Sequence, residues 1–446
     1  MQKILTCTAE HPLPDGEIRL LGTVDNVTPT MNLITMAGET FLVDAGVPRS
    51  KNVVPSESLN VDTLFLTHAH NDHLSGLAQL VLNGKLKRVV ATAPTIEIAR
   101  IQVRDGIRLN GGSSGDFEKF ERVFNKIAVP VTYGVKIASP LDAVDCIFHQ
   151  AGHILGSASI EFRSPLSRVI ISGDLGRPHS PILRDYNTTW SDDRPVDLVL
   201  METTYGDREQ EAAPPDLEEA LERAVNHALK DGGHILVPAF AIGRTQVLLY
   251  LLNNLVEAGR IPEIPVAVDT PMGLSVTQTY KRFVKLYDRD YLRKLDQGDD
   301  PIDFDNLFAI HRSGDSRRID NLTESMLILS ASGMCTGGRI VHHLKALLPR
   351  PETDVIFVGY QAPNTPGHEI QRIGKEPTKG HNVPTVVLDG KKIPVHAQIT
   401  TLKGISAHAD RKELAHWLSS IPNVKTVALH HGTRKAQEAF RSYVST

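Results

Sequence analysis

Thr67-His68-Ala69-His70-Asn71-Asp72-His73 places four potential metal ligands within six residues, directly behind the apolar run Leu64-Phe65-Leu66. The spacing His-x-His-x-Asp-His after a buried strand lets three imidazoles and a carboxylate fan out from one strand-to-helix turn. Imidazole nitrogen and carboxylate oxygen are the ligands Zn²⁺ accepts where no thiolate is offered. A histidine-rich loop without a metal is the bland alternative, and it loses weight as other ligand-type residues gather in similar settings.

They do gather. Thr40-Phe41-Leu42-Val43 runs into Asp44, Val169-Ile170-Ile171 leads to Ser172-Gly173-Asp174, Leu198-Val199-Leu200-Met201 leads to Glu202, and Val427-Ala428-Leu429 leads to His430-His431-Gly432. Continuous apolar runs of this length predict strands buried on both faces, as in a sheet covered by helices. Active sites of α/β proteins collect where such strands end. One polar strand end would read as a cap; five of this chemical type predict a site. His153, between the small residues of Gly152-His153-Ile154-Leu155-Gly156, is a further candidate ligand.

Between Tyr205 and about Thr378 the texture changes. Pro214-Pro215-Asp216 opens a helix with early acidic residues, which stops at Asp231-Gly232-Gly233. A strand at 234–238, a loop through Gly243-Arg244 and a helix from Thr245 to about Glu257 follow, and strand–loop–helix recurs near Leu327–Leu348. The expected class is α/β, with one domain interrupted by another: 1–206, an insert at 207–378, and a return at 379–446.

A chain of 446 residues suits two domains. A net charge of −4 does not advertise a nucleic-acid partner, so any such partner needs a local Lys/Arg cluster. Three dispersed cysteines, Cys7, Cys146 and Cys335, argue against a disulfide framework and a Cys-based zinc site, and fit a reducing cytoplasm. No run reaches the roughly 18 apolar residues of a membrane span, and the N-terminus lacks a signal-peptide core. A soluble, cytoplasmic protein is expected.

Met201-Glu202-Thr203-Thr204-Tyr205-Gly206, Gly404-Ile405-Ser406-Ala407-His408-Ala409-Asp410 and Leu429-His430-His431-Gly432 resemble motifs A, B and C of the β-CASP group of the metallo-β-lactamase superfamily. Val237-Pro238-Ala239-Phe240-Ala241-Ile242-Gly243-Arg244, Asp269-Thr270-Pro271-Met272 and Ala331-Ser332-Gly333-Met334-Cys335-Thr336-Gly337-Gly338 add to the likeness, which covers nearly the whole chain. The resemblance, nearest to the small prokaryotic ribonucleases, implies an αββα sandwich carrying an inserted α/β β-CASP domain. It implies two Zn²⁺ per chain: His68, His70 and His153 on one, Asp72, His73 and His431 on the other, and Asp174 bridging. Asp44 would orient a ligand imidazole, and His430 would be a packing neighbour. Asp72, Glu202 and His408 are the expected catalytic residues, with His408 near the scissile phosphate and Glu202 behind it. One departure stands out. Where the group has Gly-Thr-x-Gly-Arg after Gly359-Tyr360-Gln361-Ala362, this chain has Pro363-Asn364-Thr365-Pro366-Gly367-His368.

The expected activity is zinc-dependent hydrolysis of RNA by a metal-activated hydroxide, cutting internally or from a 5′ end. Single-stranded RNA is the expected partner, no membrane is involved, and a homodimer is allowed. Arg244 suits a phosphate. The loop bearing Ser332, Gly333, Thr336 and Gly337 precedes a helix and offers N–H groups and hydroxyls to an anion. Aromatic residues are 5% of the chain, which predicts recognition directed mainly at the backbone and low sequence specificity. The competing readings are a hydrolase of small thioesters or lactams, a DNA-directed or mixed nuclease of the same fold, and a catalytically inactive RNA-binding subunit.

Overall fold

The computed structural model describes residues 3–5, 8–47, 54–191, 194–209, 214–375, 383–402 and 406–445. Cys7, Gly404, Ile405 and the 378/379 boundary lie outside them. The chain divides into two compact units, one formed by Met1–Glu209 with Ala407–Thr446 and the other by Gln210–Ser406.

The first unit holds two seven-stranded sheets. One runs in chain order from Glu10–Leu13 to Ala128–Val131; its first four strands form an antiparallel meander, and from Glu39–Val43 through Thr63–Phe65 onward the pairing is parallel. The other sheet centres on three parallel neighbours, Thr426–His430, Leu198–Glu202 and Arg168–Ile171. The last two of these carry no exposed residue, as expected for strands covered on both faces. Between the sheets lies an apolar core to which both contribute. Phe162 of one sheet meets Phe41 and Phe65 of the other at ring-centroid distances of 4.8 and 5.1 Å, the spacing at which aromatic pairs interact beyond simple burial.

Helices cover the outer faces. Leu414, Trp417 and Phe440 bury against Ile170, Val199, Met201 and Val427. On the opposite side the helices Ala93–Leu109 and Ser114–Ile127 pack on the strands Arg88–Thr92 and Ala128–Val131. Local sequence fixes where these helices begin: Thr92 accepts the Thr95 N–H, and Ser113 and Asp116 form a reciprocal capping box. The result is the αββα layering.

The second unit is a six-stranded, all-parallel sheet in the order Leu307–Ala309, Val266–Asp269, Leu327–Ser330, Ile235–Pro238, Asp354–Phe357, Gln398–Thr401. Its boundaries differ from the expected 207–378. The strand Gln398–Thr401 pairs in register with Asp354–Phe357, so chain assigned from sequence to the 379–446 return completes the inserted sheet up to Ser406. Below this sheet's carboxyl edge, a buried ionic cluster ties three elements together. His343 Nε2 lies 2.7 Å from Asp269 Oδ2 and its Nδ1 bonds Asp320, while Arg339 and Ser316 also bond Asp269. Burial opposes charging of His343, but the two carboxylates win and raise its pKa to about 9. Among the described residues, no helix is long and apolar enough to cross a membrane.

Candidate functional site

The seven candidate ligands come together at the carboxyl ends of first-unit strands. The histidine run follows Thr63–Phe65, His153 follows Asp145–Gln150, Asp174 follows Arg168–Ile171 and His431 follows Thr426–His430, with Asp44 behind them after Glu39–Val43. Their donor atoms form two sets, His68/His70/His153/Asp174 and Asp72/His73/His431, each within 4.8 Å. Asp174 joins them. Its Oδ2 lies 3.4 Å from His68 Nε2 and 3.7 Å from His153 Nε2, while Oδ1 lies 3.4 Å from His73 Nε2 and 3.3 Å from His431 Nδ1.

The hydrogen-bond network around the imidazoles fixes which nitrogen carries a proton. Asp44 accepts the Thr67 N–H at 2.8 Å and the Thr67 hydroxyl at 2.8 Å, and accepts from His73 Nδ1 at 2.7 Å. With its own proton committed to Asp44, the Thr67 oxygen accepts from His68 Nδ1 at 3.1 Å. His153 Nδ1 lies 3.0 Å from the Ala407 carbonyl, which can only accept. Each of the three rings thus carries a proton on its outer nitrogen and turns Nε2 inward, the atom left to bind a metal when the ring is neutral. His70 Nδ1 faces two of those atoms, at 3.1 and 3.0 Å. His73 Nε2 and Asp174 Oδ1 are buried without a hydrogen-bond partner. Convergent lone pairs and unpaired carboxylate oxygens are costly in a protein interior unless a cation lies among them. The donor set therefore fits divalent metal ions, and its N/O composition without sulfur fits zinc.

Ionisation follows the same pattern at three of the histidines. At His73 burial is overcome by Asp174 and Asp44, which raise its pKa well above the usual range, so a cation is favoured at that position in either form. Burial drives His68 and His153 well below the usual histidine range and His70 to about 4. Burial opposes ionisation of Asp174 too, yet His431, His73 and His68 hold its carboxyl well below the usual range. Imidazole that is neutral and carboxylate that is charged are the metal-binding forms.

Tight backbone geometry builds this corner. A Cβ at Gly46 would stand 1.7 Å from the Asp72 carbonyl oxygen, so the chain after Asp44 can run against the histidine loop only as glycine. Asp44 itself sits at φ 63°, a left-handed conformation that a short acidic side chain tolerates.

Beside the cluster, His408 Nδ1 lies 3.2 and 3.3 Å from the two Glu202 oxygens. Glu202 is fully buried and also accepts the backbone N–H of Leu175 and Thr204, while the His408 side chain is 20% exposed. Burial works against charging His408, but Glu202 prevails and raises its pKa. The His408 ring stands 4.4 Å from His153, centroid to centroid. His430 is excluded from the cluster: its ring is buried, Nε2 finds no partner, and burial lowers its pKa to about 3.

Sequence reasoning missed the supporting atoms. Thr67 relays Asp44 to His68, the Ala407 carbonyl orients His153, and Thr204 Oγ1 reaches His431 Nδ1 at 3.1 Å. The flanking threonines were a signal; a backbone carbonyl leaves none.

The expected substrate residues lie in the second unit. Arg244 opens a helix after Ile235–Pro238, and the 332–338 loop follows the neighbouring strand Leu327–Ser330. Within that loop Ser332 Oγ accepts the Thr336 N–H at 3.1 Å and lies 3.3 Å from the Thr336 hydroxyl. In the departing segment, Asn364 takes φ 66° and Thr365 Oγ1 accepts the His368 N–H at 3.3 Å, so this stretch forms a turn that starts the helix Pro366–Lys375.

Sequence profiles of known families match three stretches: the metallo-beta-lactamase superfamily at residues 27–239, the Beta-Casp domain at 245–370, and a Zn-dependent metallo-hydrolase RNA specificity domain at 392–446. Ribonuclease TTHA0252 of Thermus thermophilus is 32% identical over 91% of this chain and 91% of its own length. An RNase J-like protein of Methanocaldococcus jannaschii is 27% identical over 90% and 88%. The transcription termination factor FttA of the same organism is 29% identical over 84% of this chain and 58% of its own. A crystal structure of an Enterococcus faecalis protein of unknown function shares the fold at TM-score 0.54 with 12% identity, over 95% of each chain.

Proposed function

The chain belongs to the metallo-β-lactamase superfamily, in its β-CASP group, and from that premise we propose that it is a ribonuclease that holds two zinc ions and hydrolyses phosphodiester bonds of single-stranded RNA. The observation that carries the reading is the convergence of Nε2 atoms of His68, His73 and His153 on Asp174, each ring fixed by a bond at its far side. His68, His70 and His153 would hold one ion, Asp72, His73 and His431 the other, and Asp174 both. Bound there, two zinc ions would supply a strong nucleophile from water at neutral pH and neutralise charge on the phosphate.

The chain's own residues do the rest. Asp44, through Thr67 and His73, keeps two imidazoles in the ligating tautomer. His408 lies beside both ligand sets, with a proton stabilised by Glu202, and would donate it to the departing sugar oxygen. Glu202 is a positioning residue that acts through His408. Arg244 and the Ser332–Gly338 loop would hold the RNA backbone. RNA as substrate is supported by the RNA-specificity profile and by a relative named as a ribonuclease. The dispersed cysteines support a reducing, cytoplasmic setting.

Incubating the zinc-loaded protein with end-labelled single-stranded RNA and matched DNA tests the reading. RNA fragments that vanish with chelator and return with zinc are expected. Cleavage of DNA in preference to RNA would move the assignment to a DNA nuclease, and intact RNA would sink it.

A further inference from the structure

Three large aromatic side chains are exposed among the described residues: Phe240 at 42%, Phe308 at 47% and Tyr360 at 53%. Phe308 lies on the edge strand Leu307–Ala309. Phe240 and Tyr360 are differently placed. They follow Ile235–Pro238 and Asp354–Phe357, which are parallel neighbours in the second unit's sheet, so both stand at its carboxyl edge. In open parallel sheets that edge is where ligands bind.

Both aromatic loops converge on one residue. The Phe240 ring seats against Gly333, where a Cβ would come within 2.9 and 3.0 Å of ring atoms Cδ2 and Cε2. Gln361, buried next to Tyr360, donates from Nε2 to the Gly333 carbonyl at 2.8 Å. The Phe240 carbonyl is itself held by the Thr245 N–H and hydroxyl, at 3.1 and 2.8 Å. A scattered exposed phenylalanine needs no explanation. Two aromatic loops anchored on the same glycine, in a loop that carries the hydroxyls of Ser332 and Thr336, do. Gly333, expected from sequence to serve an anion, also makes room for Phe240.

We propose that Phe240 and Tyr360 form a stacking subsite for an unpaired base of single-stranded RNA, whose phosphate lies toward the hydroxyls of Ser332 and Thr336. The proposal rests on the ribonuclease reading and deepens it. Every base has a π face, so such a subsite grips RNA with little sequence preference while requiring that a base be present. Two rings suffice for this, in a chain whose aromatic content is too low for a long stacking track.

The test uses the zinc-loaded full chain and a set of short RNAs, each with one abasic position. For the wild type, one or two positions should raise KM by roughly 10-fold, the scale of a lost stacked base. Phe240→Ala should raise KM on intact RNA by a similar factor and should no longer respond to those positions. Phe240→Leu, which keeps apolar contact with Gly333 but has no ring, should behave as the alanine variant does, and Phe240→Trp should restore the response. Tyr360→Ala should reproduce the loss. Variants that keep the wild-type KM, or that still respond to the same abasic positions, would overturn the subsite. A wild type that cleaves RNA but ignores every abasic position would overturn it while leaving the ribonuclease reading intact. A wild type inert on all RNAs would overturn both.

Discussion

Replacing Asp44 by asparagine should weaken both zinc positions without unfolding the protein. Asp44 accepts the Thr67 N–H at 2.8 Å on one oxygen, and the Thr67 hydroxyl at 2.8 Å and His73 Nδ1 at 2.7 Å on the other. An amide offers one acceptor and one donor, so either orientation sets its NH₂ against one of them. The Thr67 amide cannot move its proton; His73 can. In Asp44→Asn the His73 imidazole should therefore shift its proton to Nε2, the atom facing Asp174. Thr67, now accepting from the amide, should turn its hydroxyl proton to His68 Nδ1, so that both rings lose the lone pair a metal needs. A comparable loss of an outer partner costs roughly 10–100-fold in metal affinity. The metal-free protein should melt close to the wild type, because every hydrogen bond is re-formed with roles exchanged and asparagine tolerates the left-handed backbone at this position. Asp44→Ala should differ sharply, since three buried donors lose their acceptor at about 1–3 kcal/mol each. Competitive zinc titration against a chromogenic chelator, with thermal melting of the metal-free variants, separates the two effects. Wild-type affinity for both zinc ions in Asp44→Asn would refute the claim that Asp44 sets the His73 tautomer.

Asp174→Ala should lose activity and at least one zinc, read by elemental analysis; full metal with normal turnover would end the bridging role. His408→Ala should keep both zinc ions and lose roughly 10²–10⁴ in rate, the usual worth of a general acid. Glu202→Gln should lose less and add nothing in the double variant, because it acts through His408; zinc loss in His408→Ala would instead make His408 a ligand. The second unit should show alkaline weakening from His343. Its pKa is raised from the usual 6.5 to about 9 in the folded state, so its contribution is fully present below about pH 6.5 and fades as pH rises through 9. At 1.36 kcal/mol per unit this approaches about 3 kcal/mol. Denaturant midpoints from pH 6 to 10 should fall for the wild type and flatten in His343→Gln, and an equal slope in both would count against the ionic cluster.

What could be read from the sequence follows from where the information lies. Buried parallel strands write themselves as short apolar runs, so Val43, Ile171 and Leu429 announced the strand ends that carry Asp44, Asp174 and His431. The inserted boundary was not legible. Gln398–Thr401 alternates weakly and is half-buried, and only its pairing with Asp354–Phe357 assigns it to the second sheet. Ala407 acts through its carbonyl, which any residue possesses. The likeness in role of Phe240 and Tyr360 likewise arises only when parallel pairing brings together loops more than a hundred residues apart.

The most direct measurement is the rate of RNA cleavage as zinc is returned stepwise to the metal-free protein, with bound zinc counted at each step. The rate should stay low through the first equivalent, rise with the second and level off at two per chain. A maximal rate with no zinc or with one, or RNA left intact at two, would contradict the account.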